Sequence, residues 1–306
     1  MSFKKKGFQV SFSWLFAIIA GIFILFLAIY ISVKVISNQS YEVDTTTAKE
    51  IEILLNPLET GFEEKSSTTM TTATDTRIYN HCYTFGNFGE QGLQVAQKSF
   101  GKWSDAGAEI KFQNKYIFSN EIIEGKNFYL FSQKFEYPFK VADLIILLSP
   151  EKEYCFLNAP EKVLDDSEVF PKNVKLIDCS SDAVRVCFDS GSNCDIKVNM
   201  FSETVEKNEE KLYFSDELLY AAIFSDEEIY ECQVKRLMKR ASELSELYLK
   251  KAVLVKQDGC DSNVDGELTQ FADLTEDFES SENFRILERF MIELKDKNDL
   301  SICRLW

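Results

Sequence analysis

The sequence lacks the residues and motifs on which most hydrolases and transferases depend. His81 is the only histidine among 306 residues, and no G-x-S-x-G, P-loop or H-E-x-x-H motif occurs. No two cysteines are spaced as Cys-x-x-Cys, which argues against a zinc site of the usual kind. Neighbouring residues of a strand point to opposite faces, so His81 and Cys82 do not form a dyad. We therefore expect a protein that is not an enzyme, although 50 acidic residues leave a carboxylate-based hydrolase open.

Acidic residues are also missing from the first 41 positions, where an uncharged apolar run extends from Trp14 to Val33. Twenty helical residues reach about 30 Å, the thickness of the hydrocarbon core of a bilayer. The run predicts a transmembrane helix over residues 14–36, in contact with membrane lipid, after a cytoplasmic leader of residues 1–13. Lys4, Lys5 and Lys6 precede it, and this bias predicts a single pass through the plasma membrane with the N-terminus inside. A signal peptide cleaved near Ser37 is the alternative.

The chain beyond the apolar run is acidic and contains all the cysteines. Only four of the 34 basic residues lie in residues 1–37, so the outer part has 30 basic and 50 acidic residues, a net charge of −20. This balance excludes nucleic acid as an expected partner. An even number of cysteines on the oxidising side of a membrane predicts disulfides. The cysteines are Cys82, Cys155, Cys179, Cys187, Cys194, Cys232, Cys260 and Cys303.

One disulfide pairing is predicted from the sequence around residues 184–199. Two alternating stretches flank a turn at Asp189–Asn193, which is typical of a hairpin. Cys187 and Cys194 would then lie opposite each other, close enough for a disulfide. The other six cysteines allow fifteen connectivities.

The outer chain predicts an α+β fold in which strands come first and helices follow. Residues 37–62 are expected to form a juxtamembrane stalk helix that continues the membrane helix, with a stripe at Val43, Thr47 and Ile51; a short separate helix packed on the domain is the alternative. Residues 63–306 form the extracytoplasmic domain, strand-rich over 63–214 and helical over 215–306. Its first, threonine-rich part is either a linker or a strand.

Residues 258–271 contain the start of a calcium-loop pattern. Asp261, Asn263, Asp265 and the following glycine match D-x-[DN]-x-[DN]-G, and Glu267 would contribute its carbonyl oxygen. Ala272 stands where an EF-hand has a bidentate glutamate. The alternatives are a Ca²⁺ site, which would be the only cofactor, and a solvated acidic loop.

Two further signals lie outside the predicted domain or on its surface. Asn38 begins the only N-glycosylation sequon, just outside the predicted membrane helix. Lys235, Arg236, Lys239 and Arg240 form a basic cluster on a long predicted helix, and we expect them to pair with the acidic surface.

The leader KKKGFQVSFSWLFAIIAG resembles the class III signal of type IV pilins and pilin-like proteins. The matching residues are Lys5, Lys6, Gly7 and Phe8. The resemblance implies cleavage between Gly7 and Phe8 and an apolar helix that packs with its neighbours in a filament. Many pilins have a glutamate where this chain has Phe12. The chain also resembles uncharacterised single-pass surface proteins of archaea.

These observations together predict a membrane-anchored cell-surface protein with a structural or interaction role, such as a pilin-like subunit. Its partners would be copies of itself or other surface proteins. An extracytoplasmic ligand-binding or sensor domain is the alternative, and an anchored hydrolase is the third hypothesis.

Overall fold

Helix α1 (Phe12–Thr60) is 49 residues long, which corresponds to about 73 Å. The structure is a computed structural model that describes residues 12–60 and 65–306, with side chains except at 36–42, 50 and 52–60. The part of α1 from Phe12 to Val35 reaches a mean hydropathy of 2.8 and has no buried residue. By length and composition, this part is able to cross a membrane.

The first sheet of the described chain has seven strands and is mostly antiparallel. They are β1 (Lys65–Tyr83), β2 (Glu90–Ser99), β3 (Lys102–Trp103), β4 (Ile110–Phe112), β5 (Tyr116–Phe118), β6 (Ile122–Glu136) and β7 (Lys140–Leu148). The order is β3-β2-β1-β6-β7-β5, and β4 pairs with β2. Because β1 begins at Lys65, the threonine-rich segment is a strand and not a linker, in keeping with its β-branched side chains.

This sheet curls back on itself because β4 and β5 join its two sides. β4 pairs with β2, while β5 pairs in parallel with β7, and only three residues separate β4 from β5 in the chain. The curl encloses an apolar interior. Its buried residues include Ile78, Leu93, Val95, Phe112, Ile117, Ile123, Phe128, Leu130, Ile145 and Leu147.

The second half of α1 packs on this curled sheet. Ala48 and Ile51 belong to the same apolar cluster as the sheet interior, and α1 contacts β2, β4 and β7. The structure therefore combines the two predicted alternatives, since the helix is continuous and also packs on the domain.

The buried face of α1 is not the predicted stripe. Val43 is half exposed, whereas Asp44 is buried and accepts a hydrogen bond of 2.6 Å from Ser104 Oγ. Thr47 is half-buried, and its hydroxyl accepts a hydrogen bond from the Gln97 side chain. The stripe prediction is correct at Ile51 and wrong at Val43. Asp44 is buried in place of Val43, because its carboxylate is hydrogen-bonded to the domain.

The second sheet of the described chain is mixed. Its strands are β8 (Tyr154–Leu157), β9 (Val174–Lys175), β10 (Val184–Phe188), β11 (Ile196–Asn199), β12 (Thr204–Lys207) and β13 (Glu210–Tyr213). The order is β13-β12-β11-β10-β8-β9. The pairs β9–β8, β8–β10 and β10–β11 are parallel, whereas the pairs β11–β12 and β12–β13 are antiparallel. Helix α2 (Glu161–Asp165) lies between β8 and β9 in the chain.

Four helices follow the strands: α3 (Leu219–Phe224), α4 (Glu227–Gln257), α5 (Asp265–Glu276) and α6 (Phe284–Leu300). The 31-residue helix α4 buries Tyr230, Val234, Leu237 and Met238, as its apolar spacing predicts. The largest apolar cluster joins this face to β5, β6 and β7 and to the second sheet. The predicted mixed α+β class with an N-terminal apolar helix is confirmed.

Candidate functional site

Four disulfides pair all eight cysteines of the chain, as predicted. The pairs are Cys82–Cys232, Cys155–Cys179, Cys187–Cys194 and Cys260–Cys303. Their Cα atoms are 5.7–6.0 Å apart, within the range that disulfides require. Complete pairing is typical of a domain that folds in an oxidising compartment.

The pair Cys187–Cys194 is present, but the hairpin from which it was predicted is not. Strands β10 and β11 are parallel, with Val186 opposite Ile196, so the sequence interpretation of this segment is wrong. The antiparallel partner of β11 is β12, and the chain turns back beside β10 before β11 begins. Gly191 allows this return, because a Cβ there would lie 2.9 Å from both sulfur atoms.

The predicted calcium-loop residues lie around the start of α5. Asp261 Oδ2 is 2.7 Å from Lys256 Nζ, and Asp261 Oδ1 accepts a hydrogen bond from Asn263 N. The Glu267 carboxylate is 2.5 Å from Lys297 Nζ, and Asp265 is the first residue of α5. Within residues 12–60 and 65–306, no group of three or more histidine, cysteine or acidic residues is arranged to hold a metal ion. Calcium binding at this loop remains a prediction.

The processing and glycosylation predictions fall on residues whose placement is not described. Lys5, Lys6, Gly7 and Phe8 lie outside the described residues, and so does the side chain of Asn38. Leader cleavage and glycosylation therefore remain predictions.

A cleft of about 430 Å³ lies between the end of β1, the β12–β13 hairpin and the first turn of α4. Five acidic residues line it: Glu121, Glu210, Asp226, Glu227 and Glu228. Cys82 lines it too, and its disulfide to Cys232 ties β1 to α4 across 150 positions of sequence. This cross-link holds two walls of the cleft together.

No protein-family model, curated protein or solved structure matches this chain.

Lys207 lines the cleft, but its ammonium group is hydrogen-bonded to backbone carbonyl groups and stabilises the fold. The side chain is buried, and Nζ donates hydrogen bonds to the carbonyl oxygens of Ala222 at 2.7 Å and of Ser225. These carbonyls belong to the end of α3, where helix carbonyls lack partners within the helix. Burial lowers the pKa of Lys207 to about 8.

Two glutamates that line the cleft, Glu210 and Glu227, interact with each other. A hydrogen bond to Glu210, together with burial, raises the pKa of Glu227 to about 7. A second such pair lies elsewhere on the β12–β13 side of the domain: burial and a hydrogen bond with Glu288 raise the pKa of Glu203 to about 8. Like charges in contact cannot both ionise at low cost, so one member of each pair keeps a proton.

A row of aromatic side chains lies along the last part of β1 and the residues just after it. This ring row consists of Tyr79, His81, Tyr83 and Phe85; His81 and Tyr83 also line the cleft. Successive ring centroids are 6.5, 6.4 and 5.4 Å apart, and the first two rings are inclined by only 8°. His81 Nε2 is 3.3 Å from Gln94 Oε1, so its hydrogen-bond partner is an amide and not a nucleophile. The only histidine of the chain is therefore part of an aromatic surface.

Sequence reasoning missed both the cleft and the ring row. The cleft depends on the β12–β13 hairpin, which lies in a polar stretch without strong strand periodicity. The ring row did leave a signal, because aromatic residues at every second position of a strand share one face. That spacing over residues 79–85 was sufficient to identify it.

The two carboxyl pairs predict that the protein is more stable in mild acid. The folded state keeps protons on Glu203 and Glu227 that the unfolded chain releases above its ordinary pKa of 4.5. Stability should therefore fall as the pH rises from about 5 to 8, by less than about 1.4 kcal/mol per pH unit for each carboxyl. Both groups are partly exposed, and solvent screening reduces the effect further.

Thermal melting at pH 5, 6, 7 and 8 measures this dependence. Glu203→Gln keeps a hydrogen-bonding side chain without the titration, so it should reduce the slope of the curve between pH 5 and 8 and leave only the part that Glu227 contributes. Glu206→Gln, on the neighbouring strand β12, is the control. A melting temperature that rises steadily from pH 5 to 8 contradicts the prediction.

Proposed function

We propose that this protein is a single-pass, membrane-anchored cell-surface protein with a structural or interaction role. One observation carries the proposal: the exposed apolar part of α1 continues without a break into a domain closed by four disulfides. An apolar helix without buried residues needs a nonpolar environment. Disulfides need an oxidising one. A bilayer with the domain on its outer side satisfies both.

The distance along α1 supports a domain that lies close to the membrane. Asp44, which is buried against the domain, lies nine positions after Val35, where the apolar part ends. At 1.5 Å per residue this interval is about 13 Å. This short interval favours a domain close to the membrane. The lysines Lys4–Lys6 before the apolar run favour an N-terminus in the cytoplasm and a C-terminal domain outside.

A pilin-like subunit is the more specific form of the same proposal. The apolar part of α1 is exposed on every side, so it offers a surface for helices of neighbouring subunits as well as for lipid. The outward continuation of this helix and the strand-rich domain on which its second half packs also resemble pilin architecture.

A ligand-binding domain is the second candidate, and the acidic cleft is the observation that favours it.

Protease treatment of intact cells tests the proposed topology. A tag at the C-terminus should disappear, and a membrane fragment that contains α1 should resist alkaline extraction. Replacing Lys4, Lys5 and Lys6 with glutamate should weaken the preference for this orientation. In part of the protein the tag would then lie inside the cell and resist the protease. Full protection of the tag in intact cells, with digestion only after permeabilisation, would overturn the proposal.

A further inference from the structure

The rings of Tyr79, His81 and Tyr83 are half-buried, and that of Phe85 is exposed. Gly92 is opposite His81 on β2, so the strand beside the middle of the row has no side chain there. The Glu109 carboxylate occupies the space above Gly92, where a Cβ would lie only 2.1 Å from Glu109 Oε1. Glu109 Oε1 also accepts a hydrogen bond of 2.8 Å from Tyr83 Oη.

Polar groups hold the rings in place and line both sides of the row. Lys111 Nζ lies 4.5 Å from the ring centroid of Tyr83 and 3.2 Å from Glu90 Oε2. At the other end of the row, Arg77 Nη1 donates a hydrogen bond to Tyr79 Oη. The rings are therefore oriented before any ligand arrives, and such preorganisation lowers the entropic cost of binding.

We propose that the ring row binds an uncharged polysaccharide chain, whose sugar rings pack against the aromatic rings and whose hydroxyls bond to the flanking carboxylates. This inference rests on the interaction role proposed above and gives that role a partner. The successive centroid distances of 6.5, 6.4 and 5.4 Å limit the row from Tyr79 to Phe85 to about 18 Å, which is long enough for several sugar units in line.

The chemistry of the row matches both the C–H groups and the hydroxyl groups of a sugar. The C–H groups of a pyranose carry partial positive charge, and the faces of aromatic rings are negative. Sugar hydroxyls donate hydrogen bonds, and Glu90, Glu109 and Gln94 offer oxygen atoms beside the rings. Each carboxylate oxygen accepts more than one hydrogen bond, so the existing contacts leave capacity for a ligand.

The charge around the row selects against polyanions. The cleft that shares His81 and Tyr83 with the row is lined by five acidic residues, and the outer chain has a net charge of −20 from 30 basic and 50 acidic residues. Nucleic acids and uronic acid polymers would meet repulsion there. A protein partner is also a poorer match, because protein interfaces need a broad apolar centre with few charges. Here the row is one strand wide, and Glu90 and Lys111 lie directly beside it.

Affinity electrophoresis of the full-length protein, in a detergent without a sugar head group, tests the proposal. The gels contain hydroxyethylcellulose, galactomannan or dextran as neutral polysaccharides, and polygalacturonate as the charged one. At least one neutral polymer should retard the protein, and polygalacturonate should not. Tyr79→Ala and Phe85→Ala should each weaken the retardation about tenfold.

Phe201→Ala is the matched control, since Phe201 is fully exposed and far along the chain from the row. Phe85 is itself more than half exposed, so its replacement by alanine leaves the fold intact and keeps the test decisive. The proposal is wrong if no neutral polymer retards the protein, if polygalacturonate binds best, or if the Phe201 variant loses binding equally. Because purified protein is used, such a failure does not affect the topology result from intact cells.

Discussion

Replacing Cys82 and Cys232 together with serine should lower the free energy of unfolding by about 4–5 kcal/mol. The two cysteines are 150 positions apart, so their disulfide restricts a very long loop in the unfolded chain. The entropy that a cross-link removes grows with the logarithm of the loop length. Two shorter disulfides lie within this loop, and they shorten its free length only modestly. Urea unfolding of the purified protein, followed by circular dichroism, measures the loss.

The Cys187–Cys194 pair provides the control. Its two cysteines are only 7 positions apart, so replacing both with serine should cost about 2–3 kcal/mol. An equal or larger loss from the short loop would show that native-state contacts, and not loop entropy, dominate. The Cys82–Cys232 variant should also lose polysaccharide binding more than the control, because this disulfide holds β1 beside α4 at the cleft.

Arg236→Met should destabilise the protein by about 3–5 kcal/mol, although methionine replaces the apolar stem of the arginine side chain. Arg236 is fully buried. Its guanidinium donates hydrogen bonds to the carbonyl oxygens of Lys115 at 2.9 Å, Gln113 at 3.0 Å and Phe88 at 3.2 Å. It also lies over the ring of Tyr116, 4.7 Å from the centroid. Methionine would leave three carbonyl groups without these donors in a place that water reaches poorly.

Lys239→Met is the matched control, one turn further along α4. Lys239 Nζ also donates to backbone carbonyls, those of Thr84 and Gly86, but at the surface. Water can replace it there, so the expected loss is below about 1 kcal/mol. Equal losses in urea unfolding of the two variants would contradict the structural role given to Arg236.

The basic cluster on α4 illustrates the limit of local sequence reasoning. Lys235, Arg236, Lys239 and Arg240 were expected to pair with acidic residues. Instead Arg236, Lys239 and Arg240 donate to backbone carbonyls. The backbone acceptors for Arg236 lie more than 100 positions away: Gln113 and Lys115 are in the connection between β4 and β5, and Phe88 is between β1 and β2. No periodicity within α4 reports on them.

Patterns that depend on one element were predicted well from the sequence. The apolar run of α1, the buried face of α4 and the presence of disulfides follow from length, spacing and cysteine number. The Cys187–Cys194 pair was predicted correctly from an incorrect topology. Parallel strands usually need a connection of a dozen or more residues, and the seven between β10 and β11 argued for a hairpin. The cleft combines distant segments and could not be predicted in this way.

The continuity of α1 has a mechanical consequence in the proposed arrangement. A pull on a polysaccharide held at the ring row would pass from β1 to β2 and from there into α1, without crossing a flexible linker. The contact between the helix and the sheet, at Asp44 and Ile51, would then carry the load as shear along the helix axis. Many interactions loaded in parallel resist force better than interactions broken one at a time. A domain clamped to its anchor in this way is suited to holding a surface under tension.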